Sequence, residues 1–235
     1  MTASPPPSPG ARKRAAAARA VELVRSATVI GLGTGSTVRP LLELLGERLA
    51  SGTLRDVLAV PTSDDTASIC RAAGIPLTSL DEHPRLALAI DGADEIGPGL
   101  NLIKGMGGAL LREKLVALAA KQFVIVGDDS KRVKRLGTRS PLPVEVIPFG
   151  WSTHLDFFRK LGAQPALRRG ADGEPYRTDG GHWIVDCRFP RGIADPKALA
   201  RALARRPGIV EDGLFLGMAD EAFVAGAKGV RRITR

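Results

Sequence analysis

Apolar residues recur along the chain in two rhythms. Over 11–25 alanine, leucine and valine return at helical spacing with Arg and Glu between them, and amphipathic stretches of the same kind cover 40–49, 64–73 and 109–120. Ser63 precedes the third of these as an N-cap, and Gly74 ends it. Between the helices lie short, almost purely apolar runs at 27–30, 56–60, 86–90 and 122–126, which read as strands buried on both faces. Strand and helix alternate, so this region predicts right-handed βαβ units and a parallel sheet. Past Pro141 the order changes to strand 144–147, helix 152–161, strands 166–169 and 183–189, helix 196–205 and strand 208–215. That βαββαβ sequence is the pattern of a ferredoxin-like module. The chain therefore reads as an α/β protein. A Rossmann-like parallel-sheet domain covers 11–141 and 217–235, its final stretch able to return to the large sheet, and a smaller ferredoxin-like α+β domain covers 142–216. Residues 1–10, with Pro or Gly at five of the positions 2–10, read as a disordered tail.

Composition narrows the classes. The chain has 235 residues, 44% hydrophobic and 25% charged, which fits a folded globular protein and excludes a disulfide scaffold or a collagen-like chain. Arg19, Glu22 and Arg25 interrupt the most Ala-rich stretch, which removes both a membrane span and the apolar core of a secretion signal. Cys70 and Cys187 have no metal-ligand spacing and read as buried packing residues in a reducing, cytoplasmic setting. The formal charge of +9 favours anionic partners. Aromatic residues amount to only 4%, which argues against nucleic acid and for small phosphates.

Three segments carry candidate chemistry. Gly31-Leu32-Gly33-Thr34-Gly35-Ser36-Thr37 falls between a strand and a helix, where backbone N–H groups and hydroxyls converge on an anion; the bland reading is a flexible turn. Ser36 stands where a dinucleotide fingerprint needs glycine, which disfavours NAD. Asp91-Gly92-Ala93-Asp94-Glu95 follows the strand 86–90 at the sheet's carboxyl edge and suits sugar hydroxyls; the bland reading is a turn with helix-capping acids. Lys104-Gly105-Met106-Gly107-Gly108 opens a helix bearing Arg112, Glu113 and Lys114. A carboxylate base beside a cation and free N–H groups is what proton transfer through an enediolate requires, and Glu113 and Lys104 fit those roles; the alternative is an ordinary glycine-rich helix start. Lys131, in Gly127-Asp128-Asp129-Ser130-Lys131, reads as a phosphate or hydroxyl ligand or as plain surface.

In order, GLGTGST, DGADEI, IKGMGGALLREK, SKRVKRLG, PLPVEVIPFG, TDGGHWIVD and PGIVEDGLF resemble the type A ribose-5-phosphate isomerases, and the likeness runs from about Lys13 to Ile233. It implies interconversion of D-ribose 5-phosphate and D-ribulose 5-phosphate in the non-oxidative pentose phosphate pathway, without metal or organic cofactor, by a homodimer or dimer of dimers. It places the general base on Glu113 and the substrate loops on Thr34, Gly35, Ser36 and Thr37, on Asp91, Gly92, Ala93 and Asp94, and on Lys104, Gly105, Met106 and Gly107. Lys131 and Lys13 match further lysines of the family, and Asp91 or Asp94 assists ring opening. Two residues depart from the pattern. Met106 stands where the family has glycine, a strained choice if that position needs φ > 0, and Gly180 and His182 stand where Asn is common. The rival readings are a related sugar-phosphate isomerase or amino-sugar deaminase, a non-catalytic sugar-phosphate sensor and a basic nucleic-acid binder. Substrate panels, turnover and salt-dependent retention separate them.

Overall fold

The computed structural model describes residues 8–235. The elements in chain order are α1 (Pro9–Val21), β1 (Val29–Leu32), α2 (Arg39–Ala50), β2 (Leu58–Pro61), α3 (Asp64–Ala72), β3 (Leu88–Gly92), β4 (Glu95–Ile96), β5 (Leu102–Ile103), α4 (Leu110–Ala119) and β6 (Phe123–Asp128). They continue with β7 (Leu142–Val146), α5 (His154–Lys160), β8 (Gln164–Leu167), β9 (Trp183–Arg188), α6 (Pro196–Ala204), β10 (Ile209–Asp212), β11 (Leu214–Phe215), β12 (Glu221–Gly226) and β13 (Gly229–Thr234). Short 3-10 turns lie among them. Of the expected tail, residues 1–7 lie outside the described residues, whereas Pro9 and Gly10 already stand in the first turn of α1. Ser8 caps that turn by accepting from Ala11 N, and a proline in the first turn loses no hydrogen bond.

Two compact units emerge, one from the described residues up to 92 with 116–131 and 219–235, the other from 93–115 and 132–218. In the first, six strands run in the order β13-β12-β6-β3-β1-β2, all neighbours parallel except the terminal β12–β13 hairpin. This is doubly wound order. Its switch point lies between β1 and β3, so a ligand crevice is expected at their carboxyl ends, where Gly33 and Gly92 stand. One face of the sheet carries an apolar core, in which Leu41, Leu42 and Leu45 of α2 and Ala16, Ala17 and Ala20 of α1 are buried among Ile30, Leu32, Ile90 and Val126.

Three strands of this sheet begin later than hydrophobicity predicts. Ala27 and Asp56 both adopt a left-handed backbone, with φ of 56° and 55°, so neither can join a strand, and β1 and β2 start two residues further on. β3 shifts by the same two residues. The consequence reaches the chemistry: Gly31, Asp91 and Gly92 are strand residues. Gly31 serves packing, because a Cβ there would lie 2.2 Å from Val116 Cγ1.

In the second unit β7, α5, β8, β9, α6 and β10 form an antiparallel sheet of order β10-β7-β9-β8, the ferredoxin-like arrangement, over a core that includes Phe158, Val144, Val185, Leu199 and Leu203. The expected strand 208–215 is divided. Gly213 breaks it, since its backbone donates to Pro143 O and accepts from Lys104 N, and a Cβ there would meet Lys104 O at 2.3 Å. β11 thereby leaves β10 and pairs with β5 in a small sheet β11-β5-β4. Cys70 and Cys187 are free and buried; burial lifts the Cys70 thiol to about 11 against a small opposing effect of Arg71, and raises Cys187 further. No helix among the described residues is long and apolar enough to cross a membrane.

Gly31→Val should cost about 1–3 kcal/mol through overpacking against Val116, read as a lower urea midpoint at unchanged slope. An unchanged midpoint would show that the helix gives way freely.

Candidate active site

At the carboxyl end of β1 the chain turns sharply through Gly35, whose φ of 104° only glycine tolerates cheaply. Gly33 leaves room for Asp91, since a Cβ on it would fall 2.0 Å from the Asp91 carboxyl. Asp91 is 2% exposed, and its Oδ1 accepts from Gly92 N at 2.6 Å and Thr34 N at 3.3 Å, so this carboxylate orders the turn from below. Above it Lys13 Nζ donates to Ser36 Oγ at 2.8 Å, which brings a cation from α1 to the exposed hydroxyl of the turn. Thr37 lies over Gly92. A cation, a hydroxyl pair and turning backbone at one sheet edge can receive a phosphate.

The sequence reading missed one part of this edge. Thr34 Oγ1 lies 2.7 Å from Thr62 Oγ1 and 2.9 Å from Ser63 Oγ, within reach of Thr66 Oγ1, and Thr66 Oγ1 donates to Gly33 O. The signal was available: Thr62 and Ser63 follow Pro61 directly at the end of β2, and carboxyl ends of adjacent parallel strands are neighbours. Lys131 ends a 3-10 turn after β6, partly exposed.

In the second unit Lys104 and Glu113 form a buried ion pair, with Lys104 Nζ 3.3 Å from Glu113 Oε2 and both side chains under 5% exposed. Glu113 occupies the first turn of α4, where its charge faces the positive end of the helix. Lys104 reaches it because its own backbone is tied to Gly213 and its ammonium lies 5.4 Å from the Phe215 ring centroid. Gly105 and Gly108 take φ of 99° and 83° and carry the loop's left-handed positions. Met106 does not have positive φ, so the strain anticipated from its departure is absent. Met106 N donates to Asp94 Oδ2 at 3.0 Å, and Asp94 is half-buried rather than sealed like Asp91.

Glu95, the third carboxylate of its motif, binds backbone. It is fully buried and accepts backbone N–H from Gly137, Arg139 and Ser140 at 2.6–2.7 Å. Arg112 and Lys114 are likewise structural, bound to Asp179 and to Glu211 with Asp212 O. Burial raises the Asp212 carboxyl, against the pull of Lys114. Among the described residues no group of three His, Cys, Asp or Glu side chains is placed to hold a metal.

The chain is an α/β protein in which one unit holds a buried carboxylate beside a fixed cation, a pair able to move a proton, and the other a turn suited to an anion. The comparisons make this specific. Residues 58–229 match the model of ribose 5-phosphate isomerase A (phosphoriboisomerase A). Ribose-5-phosphate isomerase A of Roseiflexus castenholzii is 55% identical over 93% of each chain. A D-ribose-5-phosphate isomerase solved in complex with phospho-erythronic acid superposes with a TM-score of 0.93 at 39% identity, covering 95% of this chain and 98% of that one. The isomerase of Methanocaldococcus jannaschii gives 0.92 at 38%, covering 97% and 100%. The chain belongs to the ribose 5-phosphate isomerase A family, aldose–ketose isomerases that interconvert ribose 5-phosphate and ribulose 5-phosphate.

Because Met106 needs no left-handed backbone, Met106→Gly should relieve nothing and lower stability by about 0.4–1 kcal/mol through the freer unfolded chain. A higher melting temperature would show hidden strain.

Proposed function

We propose that Glu113 is the general base of this isomerisation. The buried Lys104–Glu113 pair carries the reading: a carboxylate held out of bulk water next to a fixed ammonium can move a proton while the cation offsets charge on the neighbouring oxygen. Glu113 takes the C2 proton of the open-chain aldose and returns it to C1, while the hydroxyl proton passes from O2 to O1. The cis-enediolate formed between is balanced by Lys104 and by the N–H groups of Gly105 and Gly107. Ser36, Thr37 and the turn at Thr34-Gly35 hold the phosphate with Lys13, and Lys131 adds a further cation. The hydrogen bond between Lys13 and Ser36 supports the first of these contacts. Asp94 assists ring opening. Its partial exposure fits that task, whereas Asp91 is committed to the backbone of Thr34 and Gly92. Gly92 and Ala93 join the two carboxylates as substrate-facing backbone. The acid bound by the 39%-identical relative fits the same chemistry, since its carboxylate offers two oxygens where an enediolate has two.

A homodimer or dimer of dimers, working in the cytoplasm on a small sugar phosphate and without nucleic acid or membrane, completes the proposal. Leu115 and Leu118 support the assembly, standing on neighbouring positions of α4 at 49% and 69% exposure. The two unpaired cysteines suit a reducing compartment. Light scattering that returned the mass of a single chain would remove the dimer.

Glu113→Gln should lower kcat at least about 100-fold with KM within a few-fold, because proton transfer is lost while binding stays. Lys13→Ala should instead mainly raise KM for ribose 5-phosphate. Wild-type kcat in the first variant, or unchanged KM in the second, would remove the corresponding role.

A further inference from the structure

The segment just beyond β8 grips the loop that follows Lys104. Arg168 Nη1 donates to Gly105 O and to Met106 O, each at 3.0 Å. Its Nε and Nη2 donate to the two carboxylate oxygens of Asp186 on β9, at 2.9 and 2.5 Å, and the side chain is only 11% exposed. Next in line, the Tyr176 hydroxyl donates to Gly107 O at 3.3 Å, and the Arg168 guanidinium lies 5.8 Å from the Tyr176 ring centroid. Desolvation raises the Tyr176 phenol, with Arg168 opposing, so the hydroxyl keeps its proton and remains a donor.

Peptide planarity turns these contacts into an orientation. In a trans peptide C=O and N–H point in opposite directions, and the described chain has no cis bond. Drawing Gly105 O and Met106 O towards Arg168 therefore turns Met106 N–H and Gly107 N–H away from it. Met106 N–H already meets Asp94 on that other side. Only a planar fork can hold two carbonyls and two carboxylate oxygens at once, so lysine cannot substitute.

We propose that Arg168, braced by Asp186, is a positioning residue for the isomerisation. It touches no reacting atom but aims the 106–107 peptide so that the Gly107 N–H meets the enediolate oxygen as its charge develops, while Met106 N–H stays on Asp94. This rests on the assignment of that loop to the developing oxyanion. Oriented donors act on the transition state more than on the bound sugar, so the loss falls on kcat.

The test compares wild type, Glu113→Gln, Arg168→Lys and Asp186→Asn for kcat and KM, and for inhibition by phospho-erythronic acid and by ribitol 5-phosphate, a phosphorylated polyol without carboxylate. Arg168→Lys should lose about 10- to 100-fold in kcat, with KM within about threefold. Its affinity for the acid should fall by a comparable factor and that for the polyol stay unchanged. Asp186→Asn should move the same way by less, and it carries the test if thermal melts show that Arg168→Lys does not fold. Wild-type kcat in both variants, or equal weakening of the two inhibitors, overturns the proposal, the latter because a merely loosened loop would spoil both. A wild-type enzyme without turnover would instead defeat the isomerase reading. Loss confined to Glu113→Gln would leave the base in place and remove only the role of Arg168.

Discussion

A lysine and a glutamate, both almost wholly out of water and 3.3 Å apart, set the terms for everything around them. Desolvating two charges is expensive, and the cost is recovered only when geometry and further polar contacts are nearly ideal. The neighbourhood meets that demand. Lys104 is anchored through its backbone to Gly213 and lies near the Phe215 ring, and Glu113 stands in the first turn of α4. A pair held this firmly loses little on reorganisation when charge moves beside it.

The same demand explains features that look incidental. Gly213 has no Cβ because one would strike Lys104 O, and its presence divides what would otherwise be one strand into β10 and β11. That division frees Phe215 to sit near the lysine. Glu95 gathers the N–H groups of Gly137, Arg139 and Ser140 and so ties the β4 edge to the 137–140 loop. Arg168 and Tyr176 of the ferredoxin-like module hold the carbonyls of Gly105, Met106 and Gly107. An accessory-looking module thus carries the brace of the loop that begins at Lys104.

The parallel sheet follows a different logic. Doubly wound order places the ends of β1 and β3 side by side, and Gly33 against Asp91 is the close approach that this order permits. Asp91 is consumed in shaping the turn, and the exposed hydroxyl of Ser36 is left with Lys13. Two neighbouring carboxylates of one short motif have therefore diverged, Asp91 sealed under a turn and Asp94 half-open beside Met106.

The linear chain was enough to read the alternation of strand and helix, the βαββαβ module, the three motif-bearing segments and the nearness of Lys104 to Glu113, because each is a matter of local periodicity or short spacing. Tertiary structure decided the rest. Whether Ala27 and Asp56 would enter their strands depended on left-handed backbone that hydrophobicity does not encode, and whether Met106 was strained depended on which loop positions carried positive φ. The hydroxyls of Thr62, Ser63 and Thr66 came to Thr34 only through strand order, and Arg168 to Gly105 only across 63 residues of chain. Contacts of that separation are chosen by how whole elements pack, and no pattern within a window of ten or twenty residues contains them.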